Sequence, residues 1–251
     1  MTDDERYQEA ETQPRILYKY CLPERIDVLR NRRVRFTQRD ELNDIYELKP
    51  LYSFDRNTNR AARERLALVH PEIPHVPEGT SEEHQSAADY ALQTCLVLSL
   101  SSEWDIIPMW SYYAEGHKGL VIGFDFTDPF LQGKTTRRVQ YTATFPVVEN
   151  TFEQAIFFKF GQWKHEHEWR SLQILEYDEP DQTICGRVHL FKFSPTAVAE
   201  VILGHRMIEH DRCLVRDILG DPAYRHVKLF QAHPDNHAWR IRRLPIDQAG
   251  S

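Results

Sequence analysis

Thr94-Cys-Leu-Val-Leu-Ser-Leu-Ser101 is the stretch at which the chain changes character. Thr94 to Leu100 is an apolar run of strand length. Its end, Leu98-Ser-Leu-Ser101, alternates apolar and hydroxyl residues as a strand with one polar face should. Ahead of it, residues 55–70 and 80–92 are helical in composition. Thr80 and Glu83 there have capping-box spacing, and Pro71, Pro74 and Pro77 describe an extended connection. Behind it lie strand-like runs over 120–126, 138–145, 169–176, 185–193 and 199–203. Helices early and strands late predict an α+β protein.

Working outward, Ile16-Leu-Tyr-Lys-Tyr20 is the first strand, a short helix runs from Pro23 to about Arg33, and Val34-Arg-Phe36 is a second strand. Asn43-Asp44 marks a turn. Toward the other end, Ser194-Pro195 reads as a helix start and a helix is predicted over 208–219. Strands at 227–231 and 239–244 close the chain around the turn Pro234-Asp-Asn236. The expected organisation is a flexible tail over 1–15, one domain over 16–245 and a short tail over 246–251.

The 251 residues are 41 % hydrophobic and 12 % aromatic, enough for a packed core. A net charge of −7 means that the surface as a whole does not attract nucleic acid or anionic lipid. Cys21, Cys95, Cys185 and Cys213 lie far apart without a CxxC pair, which fits reduced thiols. With no apolar leader and no membrane-length run, a cytoplasmic chain without membrane contact is expected.

Two segments concentrate chemistry: Pro108-Met-Trp-Ser-Tyr-Tyr-Ala-Glu-Gly-His-Lys-Gly119 and Trp163-Lys-His-Glu-His-Glu-Trp-Arg170. Large aromatics beside ionisable groups mean either a buried polar network or a site. In the first, Trp110 and Tyr113 share one helical side, making an aromatic plug or a stacking platform with His117 at its mouth. In the second, strand alternation puts Glu166, Glu168 and Arg170 on one face. Two close carboxylates repel and raise at least one pKa unless a cation such as Arg170 intervenes, in which case the trio is a structural ion network.

The first strand sets Lys19 opposite Tyr18 and Tyr20. Lys19 there either faces water or meets a phosphate, with Tyr20 stacking on a flat ligand. Ser99 and Ser101 share a face with Val97, as backbone-satisfying hydroxyls or as ligand contacts. Arg30, Arg32, Arg33, Arg35 and Arg39 form a local basic cluster, either a solvated face or a phosphate contact. His205, His210 and Cys213 lack a fourth ligand at any zinc-site spacing, so no metal is expected. No GxGxxG, Walker, GxSxG or HExxH pattern occurs.

These residues together resemble the bacterial domain of unknown function 2971. The resemblance is carried by Leu17-Tyr-Lys-Tyr20, Asn43-Asp44, Met109-Trp-Ser-Tyr-Tyr-Ala114 with His117-Lys-Gly119, Glu166-His-Glu-Trp-Arg170, Ile202-Leu-Gly204 and the strand ending at Gln231. It spans roughly residues 16–245. Leu42 and Ile45-Tyr46 depart from the Phe and Pro-Phe usual around Asn-Asp in that family. A more distant resemblance is to ADP-ribosyltransferases, in the order Lys19, Ser99 and Ser101 (or Tyr113), then Glu166 and Glu168; Lys19 stands where Arg or His is usual.

That second resemblance implies a central split or mixed β-sheet with helices mainly from the N-terminal half. It also implies an NAD-consuming transferase or glycohydrolase, of the kind found among bacterial toxins and phage-defence effectors. Glu168 and Glu166 would be catalytic. Lys19, Tyr20, Ser99, Ser101, Trp110, Tyr113, His117 and Arg170 would contact NAD, which is substrate rather than resident cofactor. The acceptor would be a protein or a nucleic acid. The competing expectation is a non-enzymatic module that binds a nucleotide or nucleic acid.

Overall fold

The computed structural model describes residues 13–49, 51–52, 89–144, 147–148, 155–175 and 177–246. Among these, the architecture is α+β: one large mixed β-sheet, two small two-stranded pairs and a few helices. The centre of the large sheet is built from β1 (Ile16–Cys21), β2 (Arg33–Gln38), β4 (Cys95–Ser101), β5 (Leu120–Asp125) and β13 (Val198–Leu203). β5 pairs antiparallel with β1 on one side and β13 on the other. A parallel pair needs a crossover, and the helix Glu209–Leu219 supplies it between β13 and β14 (Lys228–Pro234). β15 (Ile241–Pro245) returns antiparallel as the edge strand.

The first-named stretch is the pivot. One side of β4 pairs along its whole length with β10 (Glu168–Ile174), from Glu168 opposite Ser101 to Ile174 opposite Cys95. Its other side is divided: β1 meets it at Ser101, β2 at Val97 and Leu96, and neither pairs with Leu98, Ser99 or Leu100. The sheet therefore splits at mid-β4. β10 carries β6 (Thr135–Arg138) beyond it, and β2 carries β12 (Val188–Lys192) and β11 (Gln182–Ile184). The small pairs are β3 (Leu51–Tyr52) with β8 (Val147–Val148), and β7 (Gln140–Thr142) with β9 (Phe158–Phe160).

Alternation sorts the core to both faces of the sheet. Leu17, Leu98, Leu100, Leu120, Ile122, Phe124, Val201 and Leu203 pack with Phe36, Phe130 and Phe193 on one side. Tyr18, Tyr20, Val121 and Ile202 pack with Trp110 and Ala232 on the other. Burial on both sides explains why β5 reads as an unbroken apolar run. A third cluster joins Val97 and Leu172 to Leu48, Ile156 and Phe157.

Several expected elements differ in detail. The expected helix over 23–33 is a 3-10 turn (Pro23–Ile26) followed by α1 (Asp27–Asn31), ended where Arg32 turns left-handed at φ 54°. The expected strand over 185–193 is a hairpin. Cys185 and Gly186, with φ of 51° and 68°, form the turn between β11 and β12. Pro195 opens only a 3-10 turn, Pro195–Ala197. The helices expected over 55–70 and 80–92 lie outside the described residues except for 89–92, which belong to a helix that runs on to 94. So do most of the expected tails. The longest helix described, Glu209–Leu219, falls in the C-terminal half rather than the N-terminal.

Candidate functional site

A cavity of about 460 Å³ lies at the split of the sheet, where β4 alone forms the floor between β1 and β2. Lys19, Ser99, Tyr113, Glu166 and Glu168 all line it, together with Tyr20, Cys21, Arg25, Arg35, Asn43, Tyr112, Glu47 and Lys159. Six of the ten residues singled out for chemistry, Tyr20 included, thus meet at one place, from β1, β4, α2 (Ile107–Tyr113), a 3-10 turn (Gly161–Glu166) and β10.

Lys19 reaches the gap because β1 diverges from β4 there. Its ammonium donates to the Ser99 carbonyl at 3.0 Å, and no ion pair holds it among the described residues. Burial lowers its pKa, while the nearby Cys21, Glu168 and Glu166 pull it back upward. An ammonium with unused donors beside a cavity is suited to an anionic oxygen.

The glutamates are not on one strand face as expected. Glu166 ends the 3-10 turn, His167 is left-handed at φ 46°, and the strand begins only at Glu168. The kink still brings both carboxylates to one cation, Lys159 of β9, whose Nζ is 2.6 Å from Glu166 Oε2 and 2.8 Å from Glu168 Oε2. Tyr113 donates to Glu166 Oε1 at 2.6 Å. Arg170 Nε donates to Glu168 Oε1 at 2.9 Å and its Nη2 reaches Oε2 at 3.2 Å. Arg170 further bonds Glu47 and the Ile156 carbonyl. The Lys159 ammonium lies 5.1 Å from the centroid of the Trp163 ring.

Three carboxylates, Glu47, Glu166 and Glu168, thus share two cations, Lys159 and Arg170, all buried. Burial raises the Glu168 pKa; Lys159 opposes this and Glu166 adds to it, so the carboxylate holds its proton above the usual range. Burial alone would lower Lys159, but Glu168 and Glu166 outweigh it and raise its pKa. Burial pulls Arg170 down to about 9, which leaves it charged at neutral pH.

Other expected contacts lie elsewhere. Trp110 is fully buried, its Nε1 donates to the Trp104 carbonyl at 2.8 Å, and Tyr20 packs edge-on against it: it is the plug, not a platform. Tyr20, though it reaches the cavity wall, spends its hydroxyl on the Glu103 carbonyl. His117 lies parallel to Trp110 at 5.8 Å, in a left-handed turn away from the cavity. Ser101 is buried, donating to the Glu166 carbonyl, and so fixes the 3-10 turn rather than a ligand. Arg170 stands behind Glu168 and does not line the cavity.

The arginine cluster disperses: Arg32 pairs with Asp221, Arg39 with Asp89, and Arg35 with Glu41 at the cavity rim. No metal-binding group of His, Cys, Asp and Glu occurs among the described residues. Two residues of the site escaped sequence reading, Lys159 and Glu47. The signal for Lys159 was a lysine inside the aromatic run Phe157-Phe-Lys-Phe160, since buried lysines are seldom unpaired.

Comparison with protein-family models, with curated proteins and with solved structures returned no match.

Proposed function

We propose that the cavity binds NAD and that the chain breaks its nicotinamide–ribose bond, as a glycohydrolase or an ADP-ribosyltransferase. The observation that carries this reading is the convergence of Lys19, Ser99, Tyr113, Glu166 and Glu168 on one cavity at the split of the sheet. Cleavage develops positive charge at the ribose C1′, as in glycoside hydrolysis. The C1′–N1 bond breaks with its electron pair passing to nicotinamide. An acceptor oxygen or nitrogen then bonds C1′ and gives up a proton.

Glu168 is suited to hold the ribose hydroxyls and offset that charge, with Lys159 and Arg170 fixing its orientation. Glu166 is suited to take the acceptor proton, and Tyr113 aims it. Lys19 is suited to the pyrophosphate. This reading accords with the resemblance to ADP-ribosyltransferases and would give the domain of unknown function 2971 an activity. Its setting would be toxin or phage-defence chemistry on a protein or nucleic-acid acceptor. No helix among the described residues is long and apolar enough to cross a membrane.

A second reading has its own observation. Both oxygens of Glu168 are already engaged by cations, which weakens a carboxylate as a partner for an oxocarbenium centre. The same cavity would then bind a nucleotide without cleaving it. Nicotinamide release from NAD, measured beside calorimetric binding of ADP-ribose, separates the two. Release above the blank that is lost in Glu168→Gln supports the enzyme. Binding without release in the wild type supports the sensor, and neither binding nor release overturns both.

A further inference from the structure

Trp163 and His165, from the second chemistry-rich segment, do not line the main cavity. They line an annex of about 380 Å³ together with Gln162, Asn43, Tyr112 and Tyr113. The last three of these also line the main cavity, so the two spaces adjoin. The Trp163 and His165 rings stack at 6.2 Å with 29° between their planes. His165 Nδ1 lies 3.1 Å from the Gln162 carbonyl oxygen, which can only accept, so Nδ1 carries the hydrogen and the ring is held in place. Gln162, Trp163 and His165 all ride on the 3-10 turn Gly161–Glu166, whose end Ser101 fixes through the Glu166 carbonyl. This wall is built before any ligand arrives.

Among the described residues, no carboxylate, ammonium or guanidinium lines the annex. It therefore offers no counter-charge to an ion, and no aliphatic wall to a hydrocarbon chain. What it offers is four aromatic rings and two primary amides. Aromatic rings stack on the face of any base, and an Asn or Gln amide matches a donor and an acceptor side by side on a base edge. Tyr112 is 67 % exposed, which leaves its ring available to such a partner. The volume is near the lower end of the roughly 300–1,000 Å³ usual for ligand pockets, room for a single heteroaromatic ring system.

Tyr113 stands in both walls and gives its hydroxyl to Glu166 Oε1 at 2.6 Å. A ring seated in the annex is thus one side chain from the carboxylate suited to take the acceptor proton. We propose that the annex holds the acceptor of the reaction, and that this acceptor is an unpaired nucleobase. The proposal rests on the NAD-cleaving reading of the main cavity. A nitrogen of the base bonds ribose C1′ as the C1′–N1 electron pair leaves with nicotinamide, and the proton of that nitrogen passes to Glu166. A peptide nucleophile on an aliphatic stem would leave the rings and amides unmatched. With a net charge of −7 and Lys164 the one lysine exposed on the turn, the base rather than the phosphate backbone supplies the affinity. A base paired in a duplex enters only if it is extruded.

Fluorescence anisotropy of a labelled mixed-sequence dodecamer, as DNA and as RNA, reads the annex without NAD. The single strand is expected to bind the full chain at least tenfold more tightly than its duplex, with a log–log salt slope no steeper than about −1.4, two phosphates' worth. Tyr112→Ala and Gln162→Ala, both at exposed positions, are expected to weaken that binding, the first tenfold or more. Competition with the four nucleosides separates two sources of the same chemistry. Displacement by a nucleoside at comparable concentration places the acceptor among small molecules, and displacement by the strand alone places it in a nucleic acid; either supports the proposal. After incubation with NAD, mass spectrometry is expected to find one ADP-ribosyl addition on the base. Nicotinamide release with no addition to any base, including transfer to a protein instead, overturns the proposal and leaves NAD cleavage standing. Base binding with blank-level release overturns the acceptor assignment along with NAD cleavage. Strand binding untouched by both variants removes it from the annex.

Discussion

Glu168 sits where burial resists its ionisation. Its raised pKa means that the folded chain holds the proton more tightly than the unfolded chain does. The contribution of this group to stability is therefore complete below the ordinary glutamate value and is lost as pH rises through the folded pKa. Glu168→Gln removes the titration. Urea unfolding across pH 4 to 8 is expected to show the variant gaining on the wild type as pH rises, by up to about 1.4 kcal/mol per pH unit within the window. Parallel curves would mean that Glu168 titrates normally. The pairing of Glu166 and Glu168 was legible in the spacing and Arg170 does hold Glu168, but Lys159, which joins both, was not named. Lys159 joins from β9, seven residues before Glu166 and nine before Glu168, and nothing in strand alternation announces a third strand.

At the scale of elements, the site exists because β4 is shared unequally. β10 takes one whole side of it, and β1 and β2 take opposite ends of the other. The strands themselves were legible from apolar runs and alternation, and β1, β4, β5 and β13 lie within a residue or two of expectation. The split was not readable from periodicity, because pairing partners are set by packing between distant segments.

Lys19 occupies that split, and its lowered pKa gives ligand binding a sign. Affinity for ADP-ribose is expected to fall as pH rises through the folded Lys19 pKa, below the usual lysine range, and Lys19→Met should weaken binding about tenfold or more at neutral pH. Titration calorimetry at pH 7 and 9.5 checks both; a pH-independent affinity would move the pyrophosphate away from Lys19. α2 is the contrasting case. Its aromatic density was the clearest marker in the sequence, yet Trp110 is fully enclosed. Trp110→Ala is expected to cost about 3–5 kcal/mol in urea unfolding, with ADP-ribose affinity of the remaining folded protein little changed. A selective loss of affinity at intact stability would restore Trp110 to the binding surface.

Across the whole molecule, a chain of net charge −7 concentrates buried ionic groups at one place, with Glu47, Glu166 and Glu168 held by Lys159 and Arg170, and Lys19 across the cavity. Composition excluded a generally basic, polyanion-binding surface, but it could not indicate that the cationic groups of the site would come from isolated lysines on separate strands. The proposal that this arrangement cleaves NAD turns on whether Glu168 offsets charge in a reaction or only within the fold. Nicotinamide released from NAD by the purified chain, wild type against Glu168→Gln of verified fold, measures that directly. Release above the blank in the wild type, reduced about 10²–10³-fold in the variant, is the result expected of a group stabilising the transition state. Blank-level release from the wild type with every acceptor tried, or equal release from both proteins, would contradict it.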